Sequence, residues 1–274
     1  MDKLKGILFA ALSAATFGLI PLYANQAILD GVNNETILVY RYGIAGVLYA
    51  IYLLFRGTNM RLSRGELQEV TIAGVGGYGI TAFFLMWSYH YMPTGVATAI
   101  HFFYPVVVAL LMAIFYKERL PLTVRAGIVL AICGVYLLSW TPGEVKWMGL
   151  FFVLMSTLTY GCYITALNRP VLKRINPDVL TCYVLLFTAL FYLIVAVARG
   201  KMEIITRPRF LMDMGQLAVL STIVSARLLV AAVKLIGSVT SSVQIGRASC
   251  RERVLGAGVP VSLEKNQSID DPDS

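Results

Sequence analysis

Charge is scarce in this chain of 274 residues: Asp, Glu, Lys and Arg together make up 14% of it, against 58% hydrophobic residues. A soluble domain carries about a quarter charged residues. With a mean hydropathy of +0.72, the chain needs a bilayer as its solvent. Cysteine is also sparse. Cys133, Cys162 and Cys182 lie inside apolar runs with no CxxC spacing, which excludes a disulfide framework and a cysteine metal centre and leaves them as small core residues. No Asp or Glu lies centrally in any of the first eight apolar runs. A membrane-embedded transferase would need paired acids, or a nucleophile with a base, at membrane depth, so enzymatic function is disfavoured. Ion-coupled carriers often use such a central carboxylate. Coupling would therefore fall to His101 or to backbone carbonyls, with passive facilitation or exchange as the alternative. No catalytic residue, cofactor or metal is expected.

What is abundant is apolar sequence in blocks of about twenty residues, each long enough to cross roughly 30 Å of hydrocarbon as a helix. Helices are predicted over residues 7–29, 36–55, 70–91, 95–116 and 122–140. After the turn Trp140-Thr141-Pro142-Gly143 they continue over 147–168, 178–198 and 216–235, and a ninth begins after Gly237. The charged N-terminus resembles a signal peptide, but its apolar run is too long and lacks a convincing cleavage site, so it reads as a retained first helix.

The net charge of +8 does not point to nucleic acid, because the cations sit in the breaks, as in Arg56, Arg61, Arg64 and Lys117, Arg119, Arg125. Together with Lys3, Lys5, Arg169, Lys173 and Arg174 they share one side, which makes the N-terminus cytoplasmic by the positive-inside rule. Arg199, Lys201, Arg207 and Arg209 fall on the outer side and contradict the rule.

An internal repeat organises the chain. Gly6, Ser13, Thr16, Phe17 and Gly18 recur as Gly149, Ser156, Thr159, Tyr160 and Gly161, offset by 143 positions, and Tyr40 recurs as Tyr183 at the same offset. One residue further out, Pro93-Thr94 matches Gly237-Ser238. Five helices per repeat would put the second copy into the membrane upside down, as in many transporters.

The run Tyr89-His90-Tyr91-Met92-Pro93, then Ala97, Tyr104-Pro105 and Lys117-Glu118-Arg119, resembles the fourth-helix signature of the EamA family of the drug/metabolite transporter superfamily. Lys234-Leu235-Ile236-Gly237-Ser238 resembles its second-repeat counterpart. The resemblance covers residues 1 to about 243. It implies an all-α transmembrane bundle of ten helices in two five-helix repeats, without cofactor, moving metabolites, amino acids or drugs through a site between the first, third, fourth, sixth, eighth and ninth helices. Integration into a bacterial inner membrane is expected, with a small solute and the lipid bilayer as partners and a homodimer left open. The first repeat is assigned to 5–140 and an incomplete second to 146–243.

The pattern fails near the C-terminus. Residues 244–254 place Arg247, Arg251 and Arg253 where the ninth helix should run, and central Arg costs about 2.5–3.5 kcal/mol on insertion scales. The run 245–254 resembles the translation of a sequencing adapter, and its removal would align Pro260 with Pro105. Residues 255–274 read as a residual or out-of-frame tail, so the inverted repeat is expected to be truncated after about eight to nine helices.

Within the helices, ionisable groups are the leading candidates for a site. Arg41 would meet an anionic group or a ring of carbonyls, or else snorkel to the interface. His101 would bond solute, carry a proton or pack. Arg227 would face the cavity or pair across the bundle. Phe17, Trp87, Tyr104, Tyr160 and Tyr163 are candidate cavity walls, with belt or packing roles as the alternative. Gly76, Gly77, Pro93 and Pro105 are candidate hinge or packing points. Their glycine run lacks the preceding strand that a dinucleotide fingerprint requires. A non-transporting membrane scaffold or sensor remains the rival function.

Overall fold

The computed structural model describes residues 2–117 and 146–237. Among them it holds seven helices long and apolar enough to cross a membrane: α1 (Leu4–Leu29), α2 (Asn34–Phe55), α3 (Arg64–Ser88), α4 (Thr94–Tyr116), α5 (Trp147–Ala166), α6 (Pro177–Ala198) and α7 (Pro208–Ile236). No strand occurs among the described residues, so the chain is an all-α polytopic bundle. Helix α5 is the sixth of the helices expected from sequence. The expected fifth helix at 122–140, the start of the ninth, the 244–254 run and the tail all lie outside the described residues.

Two boundaries extend well past the apolar runs, each for a local reason. Helix α3 starts at Arg64 because Ser63 and Glu66 form a reciprocal capping box, which satisfies first-turn N–H groups and carries the helix through a polar turn. Helix α7 starts at Pro208, a residue suited to the first turn because it has no N–H to lose there. Asn33 caps α2 by accepting from the Thr36 N–H at 2.8 Å, and Asn176 caps α6 by accepting from that of Asp178.

Contact registers fix the helix directions. Gly6 faces Ile236 and Ser13 Oγ donates to the Ser225 carbonyl, so α1 and α7 are antiparallel. Thr81 meets Thr159, and Phe84 meets Phe152, making α3 and α5 antiparallel. Glu35 meets Arg199 and Tyr49 meets Asp178, making α2 and α6 antiparallel. Gly74 and Gly79 lie beside Thr188, and Tyr192 reaches Gly79, so α3 runs parallel to α6. Arg41 meets Thr222, and Tyr49 shares Asp178 with Arg227, so α2 runs parallel to α7. Helices α1 and α5 therefore run in opposite directions.

The repeated residues make matching contacts. Thr16 Oγ1 bonds the carbonyls of Leu12 and Ser13 at 2.9 and 3.1 Å, and Thr159 Oγ1 bonds those of Met155 and Ser156 at the same two distances. Tyr40 accepts from the Ile205 N–H in the loop after α6, while Tyr183 donates to the Met60 carbonyl in the loop after α2.

Leu8, Leu12, Ile51, Leu54, Ile114, Phe151, Leu190 and Ile194 are exposed on the outside of the bundle, where hydrocarbon would solvate them. Arg199 is paired with the buried Glu35 at 2.6 Å. That pairing neutralises one of the cations that fell on the unexpected side.

Candidate functional site

Four of the seven spans lose regular α geometry part-way along. Helix α1 breaks between Phe17 and Ile20, with Pro21 in the first turn of its second segment. Helix α4 breaks between His101 and Tyr104, with Pro105 in the following turn. Each proline removes the N–H that would have bonded the carbonyl four residues earlier, namely those of Phe17 and His101. Helices α3 and α7 widen into π-helical segments, Ile72–Gly79 and Val219–Val224, a geometry that recurs at functional sites.

Three of these irregularities meet at one buried aromatic centre, and the α7 segment joins it through the Arg41–Thr222 hydrogen bond. The Phe17 ring stacks on His101 at 5.8 Å, and His101 lies 5.2 Å from Tyr160. Tyr160 meets Tyr104 edge-on at 4.7 Å and stacks on Tyr163, which packs against Tyr78 of the α3 π segment. Tyr78 in turn meets Tyr42, and Tyr42 stacks on Tyr192. Aromatic pairs of this kind contribute about 0.5–1.5 kcal/mol each beyond area burial, so the centre is held firmly as well as being amphipathic.

Two ionisable groups sit in it. His101 is fully buried and shares a 2.8 Å hydrogen bond between Nδ1 and Ser156 Oγ, while its Nε2 has no partner among the described residues. Arg41 is 3% exposed, so it does not snorkel to the interface. Its Nε donates to Thr222 Oγ1 at 2.8 Å, and its guanidinium lies 5.0 Å over the Tyr42 ring.

The expected candidates therefore divide. Phe17, His101, Tyr104, Tyr160 and Tyr163 converge, and Arg41 joins them through Tyr42. Trp87 lies apart, packed on Phe83, His90 and Phe152. Arg227 is also apart and partly exposed, paired with Asp178 at 2.7 Å near the start of α6. Gly77 is a close-packing point, since a Cβ there would meet Tyr163 Cβ at 2.8 Å, whereas Gly76 has open space. Pro93 stands at the N-cap of α4. Sequence reasoning missed Tyr42, Tyr78 and Tyr192. Tyr42 follows Arg41 directly and Tyr78 lies inside the glycine run, which were the available signals.

A profile of the EamA-like transporter family matches residues 4–140. The chain belongs to the EamA-like transporter family. An uncharacterized transporter of Archaeoglobus fulgidus is 30% identical over 141 residues, which is 52% of this chain and 49% of that protein. A probable terminal-alkyne amino-acid exporter of Streptantibioticus cattleyicolor is 26% identical over 166 residues, 60% of this chain and 55% of that protein. The chain thus spans about half the length of the curated relatives it matches. A crystal structure aligns with a TM-score of 0.69 at 16% identity, covering 93% of this chain and 89% of its own, a likeness of fold alone.

Proposed function

We propose that this EamA-family chain is the core of an alternating-access carrier for small organic solutes, with its site at the buried aromatic centre. The observation that carries this reading is the meeting of two broken helices and the α3 π segment around Phe17, His101, Tyr160 and Tyr78, with the α7 π segment joined to them through Thr222, Arg41 and Tyr42. Transporters place irregular backbone where it lines a binding site, because unpaired carbonyls and N–H groups are tolerated at membrane depth only when buried in protein or facing a cavity.

The inverted repeat is part of the same proposal. The opposite directions of α1 and α5, the identical Thr16 and Thr159 bonds and the reciprocal loop contacts of Tyr40 and Tyr183 support it. Rocking of α1–α4 against α5–α7 would then open the centre to each side in turn. The end contacts Glu35–Arg199 and Glu69–Arg169 each join the two halves and would break on opposite strokes. The excess of Arg and Lys at the end bearing Arg56, Arg64, Arg169 and Lys173 supports a cytoplasmic N-terminus. The amino-acid exporter among the relatives supports an amino-acid-like cargo.

The test uses proteoliposomes and a cysteine-free background. Lys5→Cys, at the start of α1, and Lys146→Cys, just before α5, are expected to react with an impermeant maleimide from opposite faces. Counterflow of at least one labelled amino acid should accompany this. Labelling of both positions from the same face removes the inverted repeat, and absence of counterflow across amino acids, nucleobases and organic cations removes the carrier.

A further inference from the structure

The cations in the described parts of the bundle are treated unequally. Arg199, Arg169 and Arg227 each meet a carboxylate at 2.6–2.7 Å. Arg41 is the deepest of the four, yet among the described residues it meets no carboxylate. Its Nε is satisfied by the neutral Thr222 hydroxyl and its face by the Tyr42 ring. A guanidinium carries five N–H donors, and only the one on Nε has a hydrogen-bond acceptor among the described residues. A buried charge is normally paired, because an uncompensated one loses hydration that a single hydroxyl does not replace.

We infer that the solute carries a carboxylate or comparable oxyanion, which docks on the two terminal nitrogens of Arg41 while its apolar part lies against the tyrosines. This rests on the carrier reading and names its substrate class. The free fork of the guanidinium matches a carboxylate in a bidentate manner, the strongest geometry available to Arg. Solutes with a net positive charge are disfavoured, since no carboxylate among the described residues belongs to the centre and the Arg41 charge would repel them. The site is also mechanically connected. Thr222 lies within the α7 π segment and its hydroxyl donates to the Leu217 carbonyl five residues earlier. An anion that draws on the guanidinium therefore acts directly on an irregular segment of the other half.

Three isosteric probes test this on the purified full chain: 3-phenylpropionate, 3-phenylpropanol and 3-phenylpropylamine, with binding followed by calorimetry. The expected order is anion, then alcohol, then amine, with the anion on the order of tenfold or more tighter than the alcohol. Arg41→Gln should bring the anion down to the alcohol's affinity and leave the alcohol within about twofold. Thr222→Val should keep the anion preference, because the guanidinium stays. Should Arg41→Gln fail to fold, Arg41→Lys decides: it should weaken the anion and spare the alcohol, since the ammonium lacks the planar fork. Equal binding of anion and amine by the wild type overturns the inference, as does undiminished anion preference in Arg41→Gln or Arg41→Lys. If the alcohol binds and is transported while the anion has no advantage, only this inference fails. If none of the three binds, this inference fails, and the carrier reading stands or falls separately on the counterflow assay.

Discussion

The π segments of α3 and α7 reach one backbone irregularity by different chemistry. In α3 the segment is Ile-Ala-Gly-Val-Gly-Gly-Tyr-Gly, and glycines let neighbours approach: Gly74 against Val184 and Gly77 against Tyr163. Hydroxyls of α6 hold its carbonyls, Thr188 donating to Gly74 and Tyr192 to Gly79. In α7 the segment is Val-Leu-Ser-Thr-Ile-Val, without glycine, and a charged side chain from α2 holds it through Thr222. One segment is fixed by close packing and neutral bonds. The other is tied to a cation that an anion would engage. On the proposed carrier reading, that difference would make the α3 segment the rigid wall and the α7 segment the responsive one.

The largest effect is expected where the α3 segment is closest to its neighbour. In Gly77→Val a Cβ would lie 2.8 Å from Tyr163 Cβ and 3.2 Å from its Cα. Backbone on one side and a ring root on the other leave little room to yield. Overpacking of this kind costs about 1–3 kcal/mol or more, and here it also separates Tyr78 from Tyr163. Thermal unfolding in detergent should show a midpoint lowered by several degrees or loss of a monodisperse species. An unchanged midpoint would mean that α3 and α5 are not packed as described.

A middle effect should come from the hydroxyls that hold the same segment. Thr188→Val and Tyr192→Phe each remove a donor while keeping shape, leaving a buried π-segment carbonyl without that bond. Such a loss costs about 1–3 kcal/mol. The double variant should lower stability by roughly the sum if the two carbonyls are held independently, and by less if the segment relaxes into regular helix. Hydrogen exchange across residues 72–79 separates these outcomes: faster exchange goes with independent loss, slower exchange with a segment that has closed into α geometry.

How much of this was legible in sequence depends on range. The spans follow from runs of apolar residues, so α2, α4, α5 and α6 match expectation to within two residues at each end. The early starts of α3 and α7 were hidden because caps and first turns are polar, and hydropathy reads them as loop. Phe17, His101, Tyr104, Tyr160 and Tyr163 stood out in the sequence as candidate cavity residues, but their convergence into one ring cluster depends on contacts between distant helices. The inward fold of Arg41 was not, since its depth along the helix fits either a snorkelling or a buried rotamer. The α7 π segment had no signal at all: it contains no glycine or proline, and its Thr222 meets Arg41 from 181 residues away in the chain.

The smallest stability effect, and the sharpest test of what the glycine run is for, belongs to Gly76. A Cβ there meets nothing within 4 Å, so packing does not require glycine at this position as it does next door at Gly77. If Gly76 serves only the helix, alanine should be neutral or stabilising by about 0.5–1 kcal/mol, because it reduces the backbone entropy lost on folding. If the segment must flex as the halves rock, Gly76→Ala should keep or raise the unfolding midpoint while lowering the counterflow rate. Raised stability with unchanged flux would leave α3 as a rigid wall and assign the movement to α7.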